Sequence, residues 1–270
     1  MAGLVKLDDR NLARRVAQEF RPGQVIALGP GLPTLVPRVV PDTAGVLFLA
    51  DSGALCYRAS ASDPERYGPE PSGPNTSVPE AVDSSGQAVT LLPGGSVLSL
   101  VDAAALVRGR NADLAVVQPA QVSAAGDFSH WTTAATPGLS PPGSAVDLAA
   151  GVGRVVAMMS HAALDGSPNV VARCTSPVDG RGCVAMVITD VAVMMVGDGG
   201  LVLTEVAPGW RADDVAAITG VPLAVSPQLR EMSFDLPNDL TSTDAPNKVY
   251  PDGLSAIRDL PNGATVMIDG

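Results

Sequence analysis

Apolar positions recur along the chain in two rhythms. Between 11 and 20, Leu12, Val16 and Phe20 stand four apart, the spacing of one helical face, and Arg21-Pro22-Gly23 closes the segment. After it, short Val-, Leu- and Ile-rich runs take over. VIALGPGLPTLV (25–36) is a strand, a Gly/Pro turn and a helix start near Pro33, and GVLFLA (45–50) is a second strand. VTLLPGG (89–95) is a third apolar run, VLSLVDAAALVRG (97–109) a helix, and ADLAVVQPAQV (112–122) strand-like. Beyond 143 come AVDLAAGV, GRVVAMMSH, NVVARC, VAMVITDVAVMMV and GLVLTEVA, with a helical stretch at DDVAAITG (213–220).

Val-rich runs without strict alternation, separated by helices and Gly turns, predict strands buried on both faces. The fold class expected is therefore α/β, an open, largely parallel sheet covered by helices on both sides. Two long polar stretches interrupt it, 57–85 and 126–143, the first rich in Pro, Ser and charge; long loops of this kind in a compact domain often carry function. The 13 residues VAMVITDVAVMMV (184–196), with Asp190 in their middle, are too short for a membrane helix and read as one buried strand with its flanks. Composition shifts near 230, which sets the expected organisation: a main domain at 1–230, a polar linker at 231–247, and a terminal segment at 248–270 too short to bury a core.

Charge narrows the function classes. With 17 Lys and Arg against 28 Asp and Glu, a net charge of −11 and 3% aromatic residues, the chain is expected to bind neither nucleic acid nor an anionic membrane. Its three cysteines are too few for a disulfide framework, and no charged-then-apolar leader opens the sequence, so a cytoplasmic address is expected. Cys174 and Cys183 stand nine apart, but two histidines in the chain, His130 and His161, leave no credible zinc set; buried thiols and no metal site are expected. A Ser-His-Asp triad lacks any G-x-S-x-G elbow to carry its serine.

Two stretches invite chemistry. GPGLPT (29–34) is either a structural turn or an anion cradle built on backbone amides, although Pro30 deletes one amide. In VLFLADSGALC (46–56) an apolar run ends on Asp51-Ser52-Gly53. A carboxylate at a strand end stands where open α/β sheets bring ligands, and equally where an Asp caps a turn.

Taken in order, LGPGLPTLV, LADSGAL, LLPGGS, ADLAVVQPAQVSAAGDFSHW, GSAVDLAAG, HAALDGSP, CTSPVDGRGCV, ITDVAV and GLVLTEVAPG resemble the β subunit of family I CoA-transferases of the 3-oxoacid type, over roughly residues 8–230. The terminal KVYPDGLSAIRDLPNGATVMIDG (248–270) resembles the opening of the α subunit of the same family, which implies a β–α fusion cut short. In that family a glutamate within a Ser-Glu-Asn-Gly stretch attacks an acyl-CoA thioester, forming an anhydride and then an enzyme–CoA thioester. The resemblance puts Asp51 in the glutamate's position, with Ala50 for the serine, Ser52 for the asparagine and Gly53 retained. It further implies that Gly29, Gly31, Ser52, Gly53, Gly143 and Ser144 serve as oxyanion or substrate contacts around the carboxylate, and that the site is completed by a separate α subunit or a homo-oligomer. No permanently bound cofactor is implied; coenzyme A enters as a thioester substrate, beside a carboxylic acid such as succinate. Two other readings share the fold: hydrolysis of a CoA thioester or CoA-linked ring with Asp51 as general base, and a catalytically silent partner subunit.

Overall fold

A computed structural model describes residues 4–59, 81–130 and 144–241. Its centre is five parallel strands in the order β11 (Val184–Thr189), β9 (Val155–Met159), β6 (Leu114–Val117), β1 (Val25–Leu28) and β2 (Leu47–Ala50). These are the continuous apolar runs of the sequence, and every residue of β6 and β9 is buried. Antiparallel strands extend both sides, so the sheet, of 11 strands among the described residues, is parallel at its heart and mixed at its wings. Beyond β2 lie β3 (Ala54–Ala59), β5 (Ala88–Val97) and β4 (Ala81–Val82); beyond β11 lie β12 (Ala192–Gly197), β13 (Gly200–Val206) and β14 (Ala224–Glu231), the last parallel to β13. A separate small sheet joins β7 (Gln121–Ser123), β8 (Phe128–Ser129) and β10 (Val170–Val171).

Alternate residues of the central strands feed two cores, as strand geometry requires. Ile26, Leu28, Phe48, Ala50, Val116 and Met158 pack on one face against helix α1 (Asp9–Ala17) and a 3-10 helix at Leu32–Arg38. Ala27, Leu49, Ala115, Val117, Ala157 and Met159 pack on the other, against α2 (Leu100–Arg108), α3 (Ala145–Gly151) and α4 (Ala212–Ala217). The covered sheet expected from the sequence is thus present. α1 begins two residues ahead of the predicted segment because the Asp8 carboxylate accepts the Asn11 N–H at 2.7 Å, an N-cap that the apolar spacing does not reveal. The helix expected near Pro33 is a 3-10 helix: Pro33 is tolerated in its first turn, but Pro37, inside it, withholds an amide from an α ladder.

The run 184–196 is not one strand but the hairpin β11–β12. Asp190, at its tip, explains the reversal. Its carboxylate accepts the His161 N–H at 2.7 Å and pairs with Lys6 at 3.1 Å, while the Thr189 hydroxyl accepts the amides of Val191 and Ala192. A carboxylate so engaged belongs at a sheet edge, and its place in mid-sequence marks a turn. The stretch read as a linker is packed on the body up to Thr241: the Met232 N–H donates to Val206 O, and Met232 and Leu240 are buried. Residues 242–247 and the terminal segment 248–270 lie outside the described residues. No helix among the described residues is long and apolar enough to cross a membrane.

A buried ionic clasp fastens α1 to the far wing. Arg15 donates from Nε to Glu205 at 2.6 Å and from Nη1 to Glu19 at 2.8 Å; Arg230 also donates to Glu205, and Arg154 to Glu19. The buried Arg15 and Glu205 satisfy one another here, so removal of one partner strands the other.

His161, fully buried, lies between the hydroxyls of Thr189 (3.0 Å from Nδ1) and Thr219 (2.9 Å from Nε2). Burial pushes its pKa down from 6.5 to about 4, outweighing the opposite pull of Asp190. The folded protein therefore holds it neutral, whereas the unfolded chain takes up a proton below pH 6.5. Stability accordingly falls as pH drops from 6.5 to about 4, by up to ~1.4 kcal/mol per pH unit from this group. Thermal unfolding followed between pH 7 and pH 4.5 is expected to show that decline, and the variant His161→Gln a flatter one.

Candidate active site

Parallel strands end at one level, and the residues just past their ends gather at one edge of the sheet. The register pairs Leu28 with Ala50 and Leu28 with Val116, so the turn at Gly29–Gly31, Asp51 and Gln118 emerge side by side from β1, β2 and β6. Asp51, half-buried, faces a cleft of about 390 Å³ between these strands and the helices α2 and α3. Its walls are apolar: Ala27 and Leu49 from the sheet, Val101, Ala104 and Val107 from α2, Leu148 from α3. The polar groups are few. Among the described residues they are Asp51, Ser144, and the Arg108–Asp147 ion pair (2.6 Å) that ties α2 to α3.

Among the described residues Asp51 caps no helix. Its Oδ2 accepts a short hydrogen bond from the Ser144 hydroxyl. Ser144 occupies the N-cap position of α3, yet its side chain makes no cap bond and is turned to the carboxylate instead. The carboxylate thus faces the cleft rather than a helix end among the described residues.

The other expected residues divide. Gly53 lies at φ +107°, and a Cβ there would stand 2.1 Å from Leu98 O, so only glycine permits the reversal from β2 into β3. The Ser52 hydroxyl donates to Val82 O at 2.7 Å and faces the neighbouring hairpin. Gly29 and Gly31 flank Asp51 through the strand register, but both amides are engaged: Gly29 N–H donates to Val116 O at 3.0 Å and Gly31 N–H to the Ser85 hydroxyl at 2.9 Å. Gly31 has φ +82°, and a Cβ would strike the Gln118 amide, whose oxygen accepts the Leu32 N–H at 2.6 Å. The GPG stretch is thus a turn whose amides bond within the protein. Gly143 lies outside the described residues.

Sequence reasoning passed over the turn at 83–87. Asp83 is buried and its carboxylate accepts the amides of Ser85 (2.8 Å) and Gln87 (2.9 Å), which stiffens the turn. Ser84 and Ser85 reach from it to Asp51 and Gly31. The DSSG tetrapeptide is a turn signal, but it lies more than thirty positions from Asp51, and spacing alone does not link them. Gln118 was findable, since it directly succeeds the apolar run of β6. Tyr57, in the core beneath, has its ionisation pushed up by burial and by Asp83 and Asp51, so it stays neutral. The thiols Cys174 and Cys183 are half-buried rather than fully buried, and burial pushes Cys183 up to about 11. Neither is a thiolate nucleophile at neutral pH. Among the described residues no cluster of three His, Cys, Asp or Glu could hold a metal ion.

Residues 10–217 match the family model for coenzyme A transferase. The chain belongs to the coenzyme A transferase family. It is similar to the B subunit of the 3-oxoadipate CoA-transferase of Pseudomonas putida, with 34% identity over 218 residues that cover 81% of this chain and 97% of that one. It is likewise similar to the beta subunit of the acetate CoA-transferase of Escherichia coli K12, with 33% identity over 230 residues that cover 84% and 98%. Among solved structures it shares its fold with the acyl-CoA transferase YdiF from Escherichia coli O157:H7, at a TM-score of 0.64 and 16% identity, covering 87% of this chain and 45% of that one. The resemblance in sequence motifs is thereby a family membership, and the chain is a CoA-transferase polypeptide of the β kind.

Gly53 gives the site a direct test. Gly53→Ala combines a left-handed backbone with a clash against a carbonyl, and is expected to cost about 2–4 kcal/mol, read as a fall in the denaturant midpoint of unfolding.

Proposed function

We propose that the chain is the β subunit of a CoA-transferase that moves CoA between a dicarboxylic acid such as succinate and a 3-oxo acid, with Asp51 as acyl acceptor. The observation that carries this reading is the Asp51 carboxylate at the carboxyl end of β2, fronting an apolar cleft and contacting Ser144.

A carboxylate oxygen of Asp51 attacks the thioester carbonyl of the acyl-CoA; the C–S bond breaks, CoA leaves as thiolate, and a mixed anhydride remains. The thiolate then attacks the aspartyl carbonyl, releasing the donor acid as carboxylate and leaving CoA thioesterified to Asp51. An acceptor carboxylate attacks that thioester and the two steps run in reverse. No redox or hydrolytic co-reactant is consumed.

A carboxylate is a weak nucleophile, so the apolar walls matter: they exclude water and strengthen every remaining electrostatic contact. Ser144 orients the attacking group, while the engaged amides of Gly29 and Gly31 are not available to hold the oxyanion. Asp is one methylene shorter than the family's glutamate, which withdraws the carboxylate by about 1.5 Å. The backbone around it must make up that distance, because misplacement of ~1 Å can cost ~100-fold in rate. A separate α subunit closes the open side of the cleft, acyl-CoA and carboxylic acids are the only small molecules required, and the half-buried free thiols Cys174 and Cys183 suit the reducing cytoplasm.

Kinetics of the assembly purified through a tag on this chain test the reading. Asp51→Asn is expected to lower CoA transfer by about 10⁴-fold or more, without loss of assembly. Transfer by Asp51→Asn at the rate of the unaltered protein would rule Asp51 out as acyl acceptor; CoA release to water by the unaltered protein, with no transfer to any acid, would turn the reading to hydrolysis.

A further inference from the structure

The ends of β1 and β2 are joined through a side chain. Leu28 and Ala50 are the last register pair, and one residue further the parallel ladder offers Leu28 O and the Asp51 N–H to each other. A hydroxyl stands between them. Ser84 Oγ donates to Leu28 O at 2.7 Å and accepts the Asp51 N–H at 3.1 Å. The ladder is opened by the width of one oxygen atom at the residue where the carboxylate begins.

The support of that hydroxyl is rigid. Ser84 belongs to the turn held by the buried Asp83, whose backbone also closes on Gln87 (Asp83 N–H to Gln87 O, 2.8 Å). The same turn receives the Ser52 hydroxyl at Val82 O and the Gly31 N–H at Ser85, so it clasps residues on both sides of Asp51. Ser84 itself does not line the cleft.

We propose that Ser84 is a positioning residue: its hydroxyl, inserted between the ends of β1 and β2, sets how far the Asp51 carboxylate advances into the cleft. This rests on the reading of Asp51 as acyl acceptor, and it supplies the forward shift that a shortened acidic side chain needs. Without the hydroxyl, Leu28 O and the Asp51 amide either close on each other and draw Asp51 back, or stay apart with both groups unpaired.

Steady-state and single-turnover kinetics of the tagged assembly, with Ser84→Ala and Ser84→Thr, test this. Ser84→Ala is expected to lower kcat by about 10- to 100-fold, the cost of a displacement near 1 Å, and to leave KM for the acyl-CoA within about 2-fold. Ser84→Thr, which keeps the oxygen, is expected to recover most of kcat. A rise in KM with kcat unchanged, kcat within about 2-fold of the unaltered protein in Ser84→Ala, or no recovery in Ser84→Thr would each overturn the proposal. If Ser84→Ala fails to fold, Ser84→Cys, which keeps size but bonds weakly, takes its place under the same criteria. Failure of the two proposals is distinguishable: an active Asp51→Asn removes the acyl acceptor, whereas an inactive Asp51→Asn beside an unimpaired Ser84→Ala removes only the positioning role.

Discussion

The site depends on the common ending of neighbouring parallel strands. Because β1, β2 and β6 run the same way and pair in register through Leu28, Ala50 and Val116, the residues just beyond them converge without any local motif to bring them together. Burial of both faces of these strands holds that register, since a slip of one residue would send every side chain to the opposite core. The carboxylate, the GPG turn and Gln118 therefore inherit their relative positions from the hydrophobic packing.

On that frame the site is furnished by polar groups from remote sequence. Ser144 arrives with α3, Ser84 and Ser85 with the turn before β5, and each makes a hydrogen bond that a free strand end would otherwise give to water. The cleft between α2 and α3 remains apolar, and on the proposed reading a weak carboxylate nucleophile there has its best chance, because water competes poorly. If Asp51 is the acyl acceptor proposed above, its short side chain shifts the burden of reach to the backbone, where the hydroxyl of Ser84 stands between Leu28 O and the Asp51 N–H.

Much of this was legible in the sequence. Uninterrupted apolar runs ending in polar residues carried the parallel centre, and Asp51 stood out because an apolar run stopped on it. The features that escaped were tertiary. The run 184–196 contains a reversal because Asp190 answers to His161 and Lys6, neither of which is near it in sequence. The amides of Gly29 and Gly31 are occupied by Val116 and Ser85, partners that no pattern of glycines announces. Ser84 was hidden within a loop of Ser, Pro and charge, where local composition signals a turn but not its target.

The most direct measurement is intact and peptide-level mass spectrometry of the tagged assembly after brief exposure to an acyl-CoA, quenched in acid. The expected result is a mass increase equal to CoA less one water, located on the peptide that contains Asp51. An assembly that turns over the acyl-CoA while the adduct resides on another residue would contradict the assignment of Asp51 as acyl acceptor.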